Sequence, residues 1–182
     1  MKKLILGGVF MAVIAMVYSF AMDGQNDDKE EAKAKIKWHS WEEAVELSKK
    51  NPKKMFVDVY TEWCGWCKKM DKSTFVDKEV VEYINENFYA VKFDAEQKED
   101  VHFKGTVFKF DPQAGRRGSH KLAIALLDSR MSYPSYVYMD TLFQRITISP
   151  GFKEPKALLK EMKFVADNVY LKKTWEDYLK GN

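Results

Sequence analysis

The stretch that decides the fold, residues 55–68, reads MFVDVYTEWCGWCK. Its first half is an apolar run typical of a buried strand, and its second half holds the chain's only two cysteines, Cys64 and Cys67. Two residues between cysteines at the start of a helix let the sulfurs reach each other. The free N–H groups and the dipole of that helix favour the thiolate form of the first cysteine. The pattern therefore indicates a redox-active dithiol.

Two other uses of a Cys-x-x-Cys pair are weaker. A structural zinc site needs four nitrogen or sulfur ligands, so this pair would have to recruit two of His39, His102 and His120, which lack the short His-x-x-x-His spacing. A purely structural disulfide would close a loop too short to restrict the unfolded chain much. We therefore predict no metal and no bound cofactor.

The N-terminus has the pattern of an export signal. Two lysines follow Met1, an apolar stretch covers residues 4–20, and a small-x-small pattern ends at Ala21. We expect cleavage after Ala21 and an exported, periplasmic protein; an uncleaved N-terminal membrane anchor is the alternative, because the stretch is only slightly short for a spanning helix.

The rest of the chain divides into two parts. Residues 22–35 are rich in charged residues and alanine without hydrophobic periodicity, so they are expected to form a flexible tether, and residues 36–182 to form one domain. With 46% apolar and 14% aromatic residues, the composition is that of a globular protein. Cleavage leaves 28 basic against 27 acidic residues, a formal charge of +1, which predicts no nucleic-acid partner.

Hydrophobic periodicity and turn residues predict an α/β protein with a mixed sheet covered by helices on both faces. Residues 101–109 alternate in polarity and fit neither a strand nor a helix uniquely, and 111–118 is a loop. The predicted strands are 36–38, 55–60, 88–94, 135–139 and 143–148. The predicted helices are 41–50 with a capping box at its start, 67–72, 77–85, 122–127 capped by Ser119, 155–167 and 171–180.

Residues 57–68 resemble the active-site strand and turn of the thioredoxin superfamily. Residues 133–140 are similar to the cis-proline loop and following strand of that family, and residues 149–152 to its glycine after the hairpin. The likeness covers residues 38–180 and is strongest to exported thioredoxin-like proteins with a Trp-Cys-Gly-Trp-Cys-Lys motif. It implies a thioredoxin fold with an insertion at 101–130 before the cis-proline loop and an extra C-terminal helix. We expect the insertion to shape partner choice.

The chemistry of exchange and the resemblance together assign roles to four residues. Cys64 would attack a substrate disulfide and Cys67 would resolve the mixed disulfide. Asp58 matches the family's buried acid, whose raised pKa suits a general base toward Cys67, and Lys92 matches the lysine beside that acid. The alternatives are that Asp58 faces solvent at a sheet edge and that Lys92 lies on a solvated face.

Five further residues are expected to contact substrate or shape the turn. Trp63 would pack beside the dithiol or simply in the core, Gly65 would permit a tight backbone, and Trp66 departs from the familiar Gly-Pro dipeptide, which leaves the redox poise open. Pro134 should follow a cis peptide bond, with a trans bond at a strand start as the alternative. Tyr133, larger than usual, would narrow or redirect substrate entry.

Within the insertion, His120 could be a ligand or a proton carrier, although a histidine beside a helix cap is more often structural. Arg116 and Arg117 are most simply part of a solvated loop.

We therefore predict an exported thiol-disulfide oxidoreductase that exchanges disulfides with protein substrates, and we favour a reductant. Such a reductant implies a membrane electron donor, or an acceptor if electrons flow the other way. A monomer is expected, since no dimerisation segment is evident. The alternatives are a peptide-binding or chaperone-like module that uses the cis-proline groove, and a disulfide oxidase or isomerase.

Overall fold

The computed structural model of the protein describes residues 34–181. The predicted export signal and most of the predicted tether lie outside the described residues. Within the described part, no helix is both long enough and apolar enough to cross a membrane.

The described chain alternates strands and helices, with two short 3-10 turns at Thr74–Val76 and Val169–Leu171. In chain order the elements are β1 (Trp38–His39), α1 (Trp41–Lys50), β2 (Lys54–Tyr60), α2 (Gly65–Lys72), α3 (Lys78–Asn87), β3 (Phe88–Asp94), β4 (Val101–Phe103), β5 (Thr106–Phe108), β6 (Phe110–Asp111), β7 (Ser119–His120), α4 (Lys121–Leu126), β8 (Ser135–Met139), β9 (Arg145–Pro150), α5 (Pro155–Ala166) and α6 (Trp175–Lys180).

Five strands form the central sheet in the order β1-β3-β2-β8-β9. β2 lies at the centre, parallel to β3 and antiparallel to β8, and β9 pairs antiparallel with β8 at the edge. The register places Asp58 of β2 opposite Lys92 of β3 and Tyr136 of β8. The predicted mixed sheet is therefore confirmed, and its middle strand leads directly into the cysteine turn.

Each face of the sheet carries its own apolar core, as expected for a sheet covered on both sides. On one face, Phe56 and Tyr136 pack with Met70 of α2 and with residues of α3 and α5. On the other, Val57 and Val59 pack with residues of α1 and α4. Because side chains alternate along a strand, Asp58 shares the face of Phe56, which is the face that α2 covers.

The ends of α1 follow the sequence signals. Ser40 accepts a hydrogen bond from the Glu43 N–H, and the Glu43 carboxylate accepts one from the Ser40 N–H, so the predicted capping box is present. Several other boundaries differ from the prediction, beginning with β1, which was predicted at 36–38 and spans Trp38–His39. Two later differences have a clear physical cause. β9 begins at Arg145, not at residue 143, because Phe143 has φ +59° in the preceding turn. α6 begins at Trp175 because the left-handed Asn168 ends the previous helical segment and a 3-10 turn follows it.

The insertion consists of two small hairpins and a short helix. β4 pairs with β5 across Lys104 and Gly105, both with positive φ, and β6 pairs with β7. The prediction that Ser119 caps the following helix is wrong by one residue. His120 is the cap, because its Nδ1 accepts the Leu122 N–H at 3.2 Å.

Candidate active site

Cys64 and Cys67 are joined in a disulfide at the start of α2, with Cα atoms 5.3 Å apart. Cys64 is the N-cap of this helix, and its Sγ accepts a hydrogen bond from the Cys67 N–H at 3.0 Å. The Cys64 N–H in turn donates to the Thr61 carbonyl at the end of β2. A sulfur at an N-cap receives both a backbone N–H and the positive end of the helix dipole, and both favour its thiolate form.

Both sulfur-bearing residues are almost covered in this oxidised form. Cys64 is 4% exposed and Cys67 2%, so the two cysteines differ little in exposure. The two tryptophans of the motif stand out instead: Trp63 is 52% and Trp66 57% exposed. A partner that reaches the disulfide would therefore meet aromatic surface first.

Trp63 is a surface residue, so its interpretation as plain core packing is wrong. Its Nε1 donates to the Glu96 carboxylate at 2.9 Å, and its ring meets the Tyr133 ring edge-on at 5.8 Å between centroids. The guanidinium of Arg117 lies 5.7 Å from the ring centroid. These three contacts attach the active-site turn to the loop after β3, to the cis-proline loop and to the insertion.

Trp66 forms a second aromatic pair. Its ring centroid lies 5.4 Å from that of Phe152, in the loop after β9. The Lys69 ammonium lies over both rings, 5.0 Å from the Trp66 centroid and 4.5 Å from the Phe152 centroid. Trp66 therefore extends the apolar surface of the turn toward the loop after β9.

The backbone conformation at position 65 does not require glycine. It occupies the first position of α2 without positive φ, and a Cβ built there would meet no atom within 4 Å. The prediction that glycine permits a tight turn here is therefore wrong, because the chain at this point already has ordinary helical geometry.

Asp58 lies buried on the central strand, 1% exposed, which rejects the alternative of a solvent-facing acid at a sheet edge. Burial raises its pKa to about 6, although the nearby Lys92 ammonium partly opposes that shift. Its Oδ2 accepts from Lys92 Nζ at 3.3 Å, whereas its Oδ1 has no hydrogen-bond partner among the described residues. Such a carboxyl group gains and loses a proton near neutral pH.

Lys92 is not on a solvated face, since its side chain is only 22% exposed. It donates both to Asp58 and to Asp71 of α2. Its ammonium also lies 5.0–5.5 Å from the centroids of three aromatic rings, those of Trp38, Tyr60 and Phe75. Lys92 thus connects the buried acid to a carboxylate nearer the surface.

The peptide bond between Tyr133 and Pro134 is cis, as predicted. The Pro134 carbonyl accepts the Gly151 N–H at 2.8 Å, and the next residue, Ser135, pairs with Val59 of β2. The loop therefore lies at the end of the sheet from which β2 enters the cysteine turn. The side chain of Tyr133 lies edge-on against the Trp63 ring.

Sequence reasoning missed Asp71, Glu96 and Phe152. Asp71 follows Cys67 by four residues, a spacing that places both on one face of a helix, so a signal for it existed. Glu96 and Phe152 belong to loops and reach the turn only through the tertiary fold.

His120 has a structural role. It is fully buried, caps α4, contacts the Phe93 ring, and its Nε2 lies 3.1 Å from the Glu99 carbonyl. Across residues 34–181, no three histidine, cysteine or acidic side chains come together in a way that could hold a metal ion.

Comparison with known families and sequences gives one extended match and several short ones. Residues 28–166 match the model of the Thioredox_DsbH family, described as a protein of unknown function, DUF255. Uncharacterized protein B0495.5 of Caenorhabditis elegans is 37% identical over 67 residues, 36% of this chain and 9% of that protein. Spermatogenesis-associated protein 20 of Rattus norvegicus is 36% identical over 67 residues, 36% of this chain and 8% of that protein. The chain thus spans less than a tenth of these curated relatives.

Solved structures share the fold. A DsbH oxidoreductase superposes with a TM-score of 0.55 at 21% identity, covering 75% of this chain and 88% of that one. A thioredoxin-fold protein from Helicobacter pylori superposes with a TM-score of 0.54 at 23% identity, covering 72% and 80%. Together they show that the chain has a thioredoxin fold.

Proposed function

Because the chain belongs to the Thioredox_DsbH family of thioredoxin-like proteins, we propose that it is an exported thiol-disulfide oxidoreductase that reduces disulfides in protein substrates. The observation that carries the proposal is the position of Cys64: its sulfur caps α2, accepts the Cys67 N–H and is bonded to Cys67. This arrangement stabilises a thiolate on one sulfur and holds the second within bonding distance.

The reaction begins with the reduced protein. The Cys64 thiolate attacks one sulfur of the substrate disulfide, and the other substrate sulfur leaves as a thiolate. The Cys67 thiolate then attacks Cys64 Sγ, which forms the intramolecular disulfide and releases the second substrate sulfur. Two electrons pass from the protein to the substrate, and the protons lost by the two cysteines balance those gained by the two substrate thiols.

Asp58 supplies the base for the second attack. It lies on the face of the sheet that α2 covers, and the buried side chains of that helix are those of Cys67 and Met70. With a pKa of about 6, its carboxylate is ionised near neutral pH and can accept the Cys67 proton, directly or through one water molecule. Lys92 stabilises the ionised carboxylate at 3.3 Å.

The substrate would dock where the two aromatic pairs and the cis-proline loop meet. Trp63, before Cys64, and Trp66, between the two cysteines, offer exposed rings, and Gly65 adds no side chain to the turn. An extended substrate segment would lie along Tyr133 and Pro134, as in other cases of strand addition.

A reductant in an oxidising compartment must be reduced again after each turnover. The N-terminal sequence pattern supports export to the periplasm, and a membrane protein with its own dithiol would then be the electron donor. We propose that the protein acts as a monomer, since one copy contains both cysteines, the acid and the cis-proline loop.

A turbidity assay of insulin reduction by dithiothreitol tests this function. We expect the wild-type protein to accelerate precipitation of the insulin B chain and Cys64→Ser to lose that acceleration. Cys67→Ser is the matched variant: it keeps the nucleophile but cannot resolve, so, once reduced and freed of dithiothreitol, it should accumulate a mixed disulfide with insulin that added dithiothreitol releases. A wild-type protein without activity would contradict the proposal and favour a peptide-binding module.

A further inference from the structure

A groove of about 950 Å³ opens beside the active-site turn. One wall is Trp63, the residue before Cys64, and the opposite wall is the inserted loop at residues 114–119. Tyr133 of the cis-proline loop and Met131 also line it. A segment that reaches Cys64 past Tyr133 would therefore continue naturally into this groove.

Two arginines of the inserted loop give the groove its charge. Arg116 and Arg117 are both exposed, and within residues 34–181 neither forms an ion pair or hydrogen bond. The Arg117 guanidinium lies 5.7 Å from the centroid of the Trp63 ring. Two solvent-exposed guanidinium groups are thus available to a carboxylate, the partner for which their planar, forked geometry is suited.

The two arginines outnumber the one acidic residue of the groove lining, which leaves a net charge of +1. Among the described lining residues the one carboxylate is that of Glu96, and its Oε1 accepts the Trp63 indole N–H at 2.9 Å. The remaining lining includes apolar side chains, Ile124 of α4 and Met131. The groove therefore offers a basic rim over a partly apolar wall.

These features select an occupant. We infer that the groove binds an acidic, extended segment of the substrate protein, immediately beside the cysteine that reacts with Cys64; this inference rests on the proposed function. Charge complementarity with Arg116 and Arg117 calls for aspartate or glutamate, while the apolar wall favours a peptide over a small, fully polar molecule. A groove of this volume is roughly 10 Å across if its dimensions are similar, which is about the length of three residues of extended chain at 3.3 Å each.

Three synthetic peptides provide the test. They have equal length and one cysteine each, blocked as a mixed disulfide with thiopyridine, and they differ only in the three residues on one side of the cysteine: acidic, neutral or basic. Each is also made with the varied residues on the other side. The readout is the second-order rate of thiopyridine release by the reduced full-length protein, at low and at high salt.

We expect the wild-type protein to react with one acidic peptide roughly five to ten times faster than with its basic counterpart, as two exposed charge pairs allow. The ratio should fall at high salt because the charges are exposed. It should fall toward one in Arg116→Ala/Arg117→Ala. Arg116→Ala alone should lower it in part, without touching the contact between Arg117 and Trp63.

The matched control is Lys172→Ala/Lys173→Ala. It removes two exposed positive charges from the segment between the second 3-10 turn and α6, outside the groove, and should keep the wild-type ratio. A ratio that falls equally in this control would mean that net charge, not the groove, sets the preference, and would overturn the inference.

The remaining outcomes separate the inference from the function on which it rests. Equal rates with all peptides would overturn the inference while leaving the oxidoreductase intact. A faster reaction with the thiopyridine mixed disulfide of glutathione than with the acidic peptide would assign the groove to a small anionic thiol compound instead. Failure to react with any of these disulfides would contradict the proposed function itself.

Discussion

The burial of Asp58 suits its proposed role as a base but lowers the stability of the fold once the carboxyl group is ionised. Its carboxyl group is buried on the central strand, and burial raises its pKa from an ordinary value of 3.8 to about 6. The folded protein therefore holds this proton more tightly than the unfolded chain does. As the pH rises from about 4 to about 6, the carboxyl group ionises in the unfolded chain but keeps its proton in the folded protein, so the free energy of unfolding decreases. Above about pH 6 the group also ionises in the folded protein, and the decrease levels off.

Replacement of Asp58 by Asn should remove that cost. The pKa difference corresponds to about 2–3 kcal/mol at roughly 1.4 kcal/mol per unit, so Asp58→Asn should raise the free energy of unfolding by about that amount near pH 8 and by much less near pH 4. Urea unfolding of the oxidised protein at both pH values measures it.

Asp71→Asn is the matched control. It removes the other carboxylate that contacts Lys92, but from a side chain that is 41% exposed, so we expect a change below about 1 kcal/mol at either pH. An Asp58→Asn variant that is less stable than wild type near pH 8 would contradict the account of this acid.

Sequence alone located the residues whose local pattern is distinctive. An acid within an apolar run and two cysteines two residues apart can be found without a structure, and Asp58 was found in this way. The cis Tyr133–Pro134 bond was expected from the resemblance to the thioredoxin superfamily, since a proline before a strand alone leaves a trans bond open. Glu96 and Phe152 could not be found, because their contacts with the active-site turn join parts of the chain that only folding brings together.

At the scale of elements, the insertion shows where periodicity fails. Strands β2, β3 and β8 and helix α1 have long, regular apolar patterns and were predicted nearly at their observed bounds. The β4–β5 hairpin was not resolved from sequence, because its strands have three residues each and its turn is Lys104-Gly105, not the usual Asn-Gly. His120 likewise caps α4 with a ring nitrogen, outside the set of residues that usually mark a helix start.

The inserted loop that bounds the groove depends on Gly118. This residue has φ +76°, and a Cβ built there would lie 2.2 Å from Phe110 Cζ and 2.9 Å from the Asp111 carbonyl oxygen. Gly118→Ala should therefore destabilise the protein by roughly 2–4 kcal/mol, from both the left-handed backbone and the displaced neighbours.

Gly115 offers a matched control in the same loop. It has φ +73°, but a Cβ there would meet nothing within 4 Å, so Gly115→Ala should cost only about 1 kcal/mol. Denaturant unfolding of both variants gives the comparison. Equal losses would mean that the packing of Gly118 against β6 contributes nothing to stability.

At the scale of the whole molecule, the sheet brings three segments that are distant in sequence to the same end of its strands. β2 delivers the cysteine turn, β8 begins just after the cis-proline loop, and β9 ends just before Gly151 and Phe152. The insertion is a fourth segment at this end, because its Arg117 contacts the Trp63 ring. The Cys64–Cys67 disulfide is thus bordered by four segments that are distant in sequence.

The direction of electron flow depends on the reduction potential of the Cys64–Cys67 pair, which the residues around it set by stabilising either the dithiol or the disulfide. Trp66 belongs to the dipeptide between the cysteines, which influences the reduction potential. Its ring contacts Phe152 and Lys69, two residues outside the Cys-x-x-Cys motif. The sequence could not predict the poise, because it depends on the free energies of both redox states in this particular environment.

The equilibrium reduction potential of the Cys64–Cys67 couple tests the central claim most directly. The protein is equilibrated with reduced and oxidised glutathione at a series of ratios, and the free thiols are alkylated and counted. We predict a potential near that of thioredoxin, about −270 mV, at which the dithiol reduces strained or exposed protein disulfides of higher potential but not structural ones below about −300 mV. A potential near about −120 mV, that of a strong oxidant, would contradict the account.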